Sequence, residues 1–381
     1  MKLAGLRVID LSSFLPGPFL TMALADHGAE VIKIEQPGEG DPGRHIGLAD
    51  GGATVFFRNL NRGKKSVVLD LKVAEQKQLL LELADGADVL VETFRPGVAA
   101  RLGIGAEVVR ARNPKLVYCS LSAFGQVGAY GARPAHDLAL QAISGSQSLT
   151  VGGDGQPAMT AIPIADQLSA LHALSAILMA LLQRERTGRG DVIDIAMHDA
   201  MLAAAANIVG PTFAQDRQPN PGDERNTGGA AFYQIYRTRD DRHLVLAGQE
   251  PKFIDNLLGA LGRRDLIAPC LKGPGPHQRP VIAVLAEVFR QKTLAEAVAW
   301  LAGLDVCFGP VNTLPEAFRD ANVAARGMVL MDELGRRHIA PVIRFAEEPA
   351  RPKLGEPALG ADTEAVLAEL RGQRPRPKPE L

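Results

Sequence analysis

Short, nearly continuous apolar runs alternate with helix-patterned stretches over the first 125 positions. "LRVIDL" (6–11), "EVIKIE" (30–35), "SVVLDL" (66–71), "DVLVETF" (88–94) and "LVYCSLSAF" (116–124) each read as a buried strand. Between them, "GPFLTMALADHGA" (17–29) and "VAEQKQLLLELADGA" (73–87) carry apolar residues at helical spacing. Strands separated by amphipathic helices predict a parallel sheet with helices on its faces, an α/β, Rossmann-like doubly wound unit. Ligands of such sheets bind beyond the C-terminal ends of the strands, so the segments after Asp10, Glu35, Leu69 and Glu92 come first as candidates.

Further along, "PIADQLSALHALSAILMALLQRERTGRGD" predicts a long helix over about 166–186, ended by Gly188 and Gly190. "DVIDIAM" is a short strand and "HDAMLAAAANIV" an Ala-rich helix. From about 207 to 230 proline, asparagine, glycine and charge dominate, which reads as a linker or mobile loop. A second unit follows, with strands "FYQIYRT" and "HLVLAG" around the turn "RDDR" and helices near 251–262, 281–290 and 293–303. The expected layout is a large Rossmann-like domain over 1–205, completed by about 325–381. A linker over 206–230 and a smaller α+β domain over 231–324 make up the rest. The tail "RGQRPRPKPEL" reads as disordered.

Composition narrows the function classes. A chain of 381 residues is long enough for two domains. Its 42 Lys+Arg against 43 Asp+Glu give a net charge of −1, which argues against a general nucleic-acid binder. Cys119, Cys270 and Cys307 lie far apart without CxxC spacing. They suggest neither a metal site nor a disulfide framework, and fit a reduced, cytoplasmic setting. The N-terminal "MKLAGLRVIDLSSFLPGPF" is broken by polar residues and prolines, unlike a signal peptide. "SALHALSAILMALLQRER" reads as too short and interrupted to span a bilayer, so no membrane association is expected.

Four places can carry chemistry. "SFLPGPF" (13–19) sits at a strand-to-helix turn, where helix N–H groups can meet an anion or a thioester oxygen; it lacks GxGxxG, so an ordinary βα turn explains it equally well. Arg44, Arg58, Arg62, Lys64, Lys65, Lys72, Arg95 and Arg101 scatter around expected strand ends, as phosphate recognition without a P-loop requires and as a solvated basic face also allows. Asp166 stands where a long apolar helix begins: an N-cap on structural grounds, a nucleophile or general base on chemical ones. His136, beside Asp137, starts another helical pattern and is by its local context a capping or surface residue.

Seven ordered segments lift this reading. "LAGLRVIDLSSFLPGP", "LADHGAEVIKIEQPGEGDPGR", "NLNRGKKSVVLDLK", "DVLVETFRPGVAARLGIG", "NPKLVYCSLSAFGQVG", "RERTGRGDVIDIAMHDAML" and "DVCFGPVNTLPEAF" resemble the family III CoA-transferases, the CaiB/BaiF superfamily, which includes the 2-methylacyl-CoA racemases. The resemblance covers nearly the whole chain. It implies an interlocked, ring-like homodimer, with CoA entering as part of the acyl-CoA substrate and no permanently bound cofactor. It implies that Asp166 is the shared aspartate. In the transferases this residue attacks the acyl-CoA thioester to give an aspartyl anhydride; in the racemases it pairs with a histidine in a "GHD" context. The chain has "AHD" there, with 30 residues between His136 and Asp166, similar to the racemase arrangement. Transferases usually carry an aromatic residue at that histidine position.

Glu250, in "LVLAGQEPKF", matches an acidic residue of the racemase small domain and is expected to support His136 or the dimer interface. The CoA contacts implied are Arg44, Leu69, Asp70, Lys72, Thr93, Phe94, Arg95, Arg101 and Asp137, with Arg133 replacing a lysine. Departures bear on specificity. Leu15 replaces the first-loop glutamine of formyl-CoA transferases, "AGQEPKF" lacks their glycine-rich loop, and Gln36 stands where some members have a basic CoA contact. The expected activity is racemisation of a 2-methylacyl-CoA or related α-branched thioester through His136 and Asp166. The alternative is CoA transfer between carboxylic acids through Asp166.

Overall fold

A computed structural model describes residues 1–372. The tail expected to be disordered lies largely over 373–381, outside the described residues. The chain divides into two compact units. The first comprises Met1–Ser144, Ile162–Ala203 and the chain from Ala321 on; the second comprises Gly145–Ala161 and Ala204–Asp320.

The first unit is built on six parallel strands: β1 (Arg7–Leu11), β2 (Glu30–Glu35), β3 (Lys65–Val68), β4 (Val89–Glu92), β5 (Val117–Ser122) and β6 (Val192–Ala196). Their spatial order is β3-β2-β1-β4-β5-β6, the order of a doubly wound sheet with its switch point beside β1. β1, β4 and β5 are buried along their whole length, which is why they read as continuous apolar runs. One core lies on each face of the sheet. Val8, Val91, Leu121 and Ile177 belong to one, and Ile9, Ile32, Leu90 and Tyr118 to the other.

Helix α1 (Pro16–Asp26) follows β1, and helix α2 (Val55–Asn61) precedes β3. Helix α3 (Ala74–Asp85) crosses from β3 to β4, and α4 (Val98–Leu102) and α5 (Ala106–Arg112) cross from β4 to β5. Two further helices matter for the site: α6 (Asp137–Ile143) and α7 (Ile164–Thr187). By length and composition α7 could cross a bilayer, contrary to expectation, since its 24 residues include a sufficiently apolar window. It instead packs on α1, β5 and β6, burying Ala170, Ala173, Ile177 and Leu181. Gly188 ends it in a left-handed conformation (φ 68°) that glycine adopts without strain.

The second unit is α+β. Three antiparallel strands, β7 (Tyr233–Arg237), β8 (His243–Ala247) and β9 (Phe308–Pro310), form one sheet. Its core gathers Phe232, Tyr236, Leu246, Leu257, Leu285 and Phe289, and the Tyr236 hydroxyl donates to the Ala231 carbonyl at 2.6 Å. The stretch expected as a linker contains a short helix, Gly210–Gln215, and hydrogen-bonded turns, and its residues group with this unit. Proline at the second helical position and a left-handed Asp216 at the C-cap let it start and stop within six residues.

Candidate active site

The C-terminal strand ends of the first unit enclose a cavity of about 520 Å³. Leu11 of β1, Glu35 of β2, Leu69, Asp70 and Lys72 after β3, and Phe94 after β4 line it. Four of the ten residues assigned to CoA (Leu69, Asp70, Lys72 and Phe94) therefore meet in one cavity at the switch point. Thr93 lies beside it, accepting from the Ser13 amide at 3.2 Å. Arg95, Arg101 and Arg133 are exposed, Arg133 lying over the Tyr130 ring.

Arg44 departs from expectation. Its guanidinium makes two hydrogen bonds to Glu35, at 2.7 and 2.6 Å, and stacks over Phe57 at 4.0 Å. The same holds for most of the basic scatter. Arg62 forks onto Asp26, Arg58 pairs with Asp50, Lys65 with Glu30, and Lys64 with Asp10. These five cations are thus engaged by carboxylates of the chain itself. The partners lie 8 to 54 residues away in sequence, too far for local pattern to show.

The turn between β1 and α1 rests on such a network. Asp10 is fully buried and accepts from Thr21 Oγ1 at 2.7 Å, from Lys64 Nζ at 3.0 Å and from the Ser12 hydroxyl. Burial alone would raise its carboxyl, but Lys64 and Lys33 outweigh it and hold Asp10 well below the usual carboxylate range. Lys33 pairs with Asp41 at 2.8 Å and donates to the Ser12 carbonyl at 2.7 Å. Asp41 in turn accepts from the amide of Phe14 at 3.2 Å. α1 begins at Pro16 with Pro18 two residues on, so two of its first three positions carry no N–H. Of these three positions Gly17 alone retains an N–H to offer an anion. Gly17 is needed for close approach, since a Cβ at that position would lie 2.1 Å from Ser12 Cβ.

Phe14 was not singled out from sequence. It sits in the left-handed region (φ 65°) and turns its ring toward His136, edge to face, with centroids 5.8 Å apart. His136 is the N-cap of α6, exposed, and its side chain makes no capping bond. The capping role that its local context suggests is thus not what the imidazole does.

Asp166 is likewise not a cap. Pro163 is the N-cap of α7, and Asp166 is the third helical residue. The helix start is capped from outside by Asp137, whose Oδ1 accepts from the amides of Ala165 at 2.7 Å and Asp166 at 3.3 Å. Asp137 thus occupies two of the amides that a helix start leaves free. By this contact Asp137, the neighbour of His136, brings the starts of α6 and α7 together. Burial, and then the charge of Asp137, push the Asp166 carboxyl up to about 7. Among the described residues no hydrogen bond reaches its carboxyl oxygens and no ion pair reaches it. Glu250 belongs to the second unit, where it is exposed at the N-cap of the helix Pro251–Ala260 and makes no side-chain cap bond. No group of three or more potential metal ligands occurs among the described residues.

A doubly wound sheet with a cavity at its switch point, and a carboxyl raised into the neutral range at a helix start that Asp137 ties to the start of α6, point to an α/β enzyme for acid–base or acyl chemistry. The chain belongs to CoA-transferase family III, which it matches over residues 3–363. It is 33% identical to a succinate–glutarate CoA-transferase of Agrobacterium fabrum, over 97% of this chain and 95% of that protein. It is 32% identical to a human alpha-methylacyl-CoA racemase, over 97% and 94% respectively. A solved CAIB/BAIF family protein from Brucella suis matches with a TM-score of 0.83 at 32% identity, covering 97% of this chain and 99% of that one. The protein is an enzyme of this family, whose members are named as transferases or racemases.

Proposed function

We propose that the protein is an acyl-CoA racemase acting on a 2-methylacyl-CoA or related α-branched thioester, with His136 and Asp166 as its two catalytic residues. One observation carries this reading: Asp166 is raised to about 7 at a helix start tied by Asp137 to that of His136. A carboxyl group in that range exchanges protons with an imidazole at little free-energy cost, because imidazoles titrate near there. Neutral His136 takes the α-proton from one face and becomes imidazolium, while the C–H electron pair moves into the thioester enolate. Protonated Asp166 then gives its proton to the opposite face and is left as carboxylate, and the stereocentre is inverted. Substrate of the other hand runs the same steps in reverse.

The cavity lined by Leu69, Asp70, Lys72 and Phe94 is assigned to the CoA moiety, and the exposed Arg95, Arg101 and Arg133 to its phosphates. Glu250 is assigned support of His136 or of the dimer interface. A homodimer is supported by the apolar stripe on α7, where Leu171, Leu178, Met179 and Leu182 stand exposed at helical spacing. The test is exchange in D2O: branched acyl-CoA should gain one α-deuterium, and His136→Ala should slow this by about 10²–10⁴-fold. No deuterium gain with any α-branched acyl-CoA overturns the reading.

A second reading, CoA transfer through Asp166, is favoured by the transferase names of most relatives found. It requires ionised Asp166 to attack the thioester carbonyl, expelling CoA thiolate and forming an aspartyl anhydride. Mass spectrometry of protein incubated with acyl-CoA and trapped with hydroxylamine would then show an adduct at Asp166, and His136→Ala would leave it largely intact.

A further inference from the structure

Asp166 is the third residue of a 24-residue helix, a position where the helix dipole and free amides ordinarily favour an ionised carboxylate. Here that advantage is taken away. Asp137 Oδ1 holds the amides of Ala165 and Asp166, and Asp137 Oδ2 accepts from Gln141 Nε2 at 2.6 Å. Gln141 is 2% exposed, so Asp137 is fixed through both oxygens by groups that cannot swing away. We propose that Asp137 is a positioning residue for the acid–base chemistry: by claiming the amides at the start of α7 and setting its own charge beside Asp166, it keeps Asp166 able to carry a proton. This rests on reading Asp166 as a proton donor and acceptor, and it gives Asp137 a role other than a contact to CoA.

The surroundings leave Asp137 as the group that acts on Asp166. On α6 the neighbours are Asp137 itself and the N-cap His136. On α1 the acidic Asp26 is engaged with Arg62. β5 brings the buried Tyr118 and Cys119, whose acidities are suppressed by burial. β6 brings Asp194, which accepts from the Gln126 amide at 3.0 Å. Of the charged groups on α7 itself, Arg184 pairs with Asp88, and Glu185 and Arg186 lie with it in the last turns; His172 is exposed. No lysine or arginine among these pairs with Asp166. Burial and Asp137 therefore act in the same direction, toward the protonated form.

The experiment is a ¹³C-carboxyl NMR titration of the full chain with labelled aspartate, the Asp166 signal being assigned by its loss in Asp166→Asn. Asp137→Asn keeps an oxygen to accept the α7 amides and removes the charge. It should lower the Asp166 midpoint by about one pH unit, a tenfold fall in the ratio of its protonated to its ionised form. Asp137→Ser, whose hydroxyl is also a good helix cap, provides a second variant should the first fail to fold, and should move the midpoint the same way. The α-proton exchange profile should lose its Asp166-dependent limb by the same displacement. An unmoved midpoint in a folded variant overturns the proposal, and a change in KM for acyl-CoA with no change in midpoint would return Asp137 to a ligand contact. Since the titration is read without turnover, a shifted midpoint in a protein that exchanges no α-proton would uphold Asp137's effect while sinking the racemase reading.

Discussion

Two aspartates of the first unit, the buried Asp10 and the half-buried Asp166, have been moved in opposite directions. Asp10 is surrounded by Lys64, Lys33, Thr21 and Ser12, and its carboxyl lies well below the usual range. Asp166 has a like charge beside it and no cation, and is raised to about 7. Burial pushes both upward; the neighbours decide the outcome. A buried carboxylate whose every lone pair is claimed is part of the frame. One left without partners at a helix start is poised for chemistry, and its cost in stability is offset by the frame around it.

The sharpest break of this contrast is Asp166→Asn. Activity by either reading should fall by about 10²–10⁴-fold, since the amide neither exchanges a proton nor attacks a thioester. Asp10→Asn breaks the other side. It leaves Lys64 and Lys33 buried short of a counter-charge, and should lower stability by about 3–5 kcal/mol in denaturant unfolding. A variant at Asp10 with unchanged stability would mean that the buried pair is not part of the frame.

The pH dependence of stability separates the two groups more finely. Asp166 has a folded value above its unfolded one near 3.8. Its contribution is full below about pH 4 and is lost as pH rises through about 7. Asp166→Asn should therefore be more stable than the natural protein at pH 8, by roughly 1–3 kcal/mol after solvent screening at a half-buried site, and the gain should vanish near pH 4. For Asp10 the folded value lies below 3.8, so its contribution is present at neutral pH and is lost as pH falls below that value. Melting temperatures of the natural protein and both variants from about pH 2 to pH 8 would show the two slopes. Parallel curves would erase the distinction.

Much of the frame was legible in the sequence. β1 to β5 are apolar runs because both faces of the sheet are covered, and the termini of β2 agree with the expected 30–35. Asp166 was legible as a residue but not in its state, which depends on Asp137, 29 residues away, and on burial. The ion pairs of the scattered cations were not legible, because Asp10, Asp26, Glu30 and Asp50 come to them only through the fold. The three-residue strands Val329–Met331 and Arg337–Ile339 are too short for any period to register. Phe14 gave no signal, because a left-handed phenylalanine has no sequence signature.

Phe14 is also where the two regions meet, and where the smallest effect is expected. Its amide is held by Asp41, which Lys33 anchors to the Asp10 network, and its ring edges onto His136. The left-handed backbone costs about 1–2 kcal/mol for a residue with a Cβ. An edge-to-face contact returns about 0.5–1.5 kcal/mol. Phe14→Gly removes strain and contact together, so stability should change by less than about 1 kcal/mol. Phe14→Ala keeps the strain and loses the contact, and should be less stable than Phe14→Gly by about 1 kcal/mol. If the ring's purpose is to hold the imidazole, both variants should slow α-proton exchange by a similar few-fold, about 1 kcal/mol of barrier, whatever their stabilities. Exchange that tracked stability instead would make Phe14 one more member of the frame, and would leave His136 to be positioned by α6 alone.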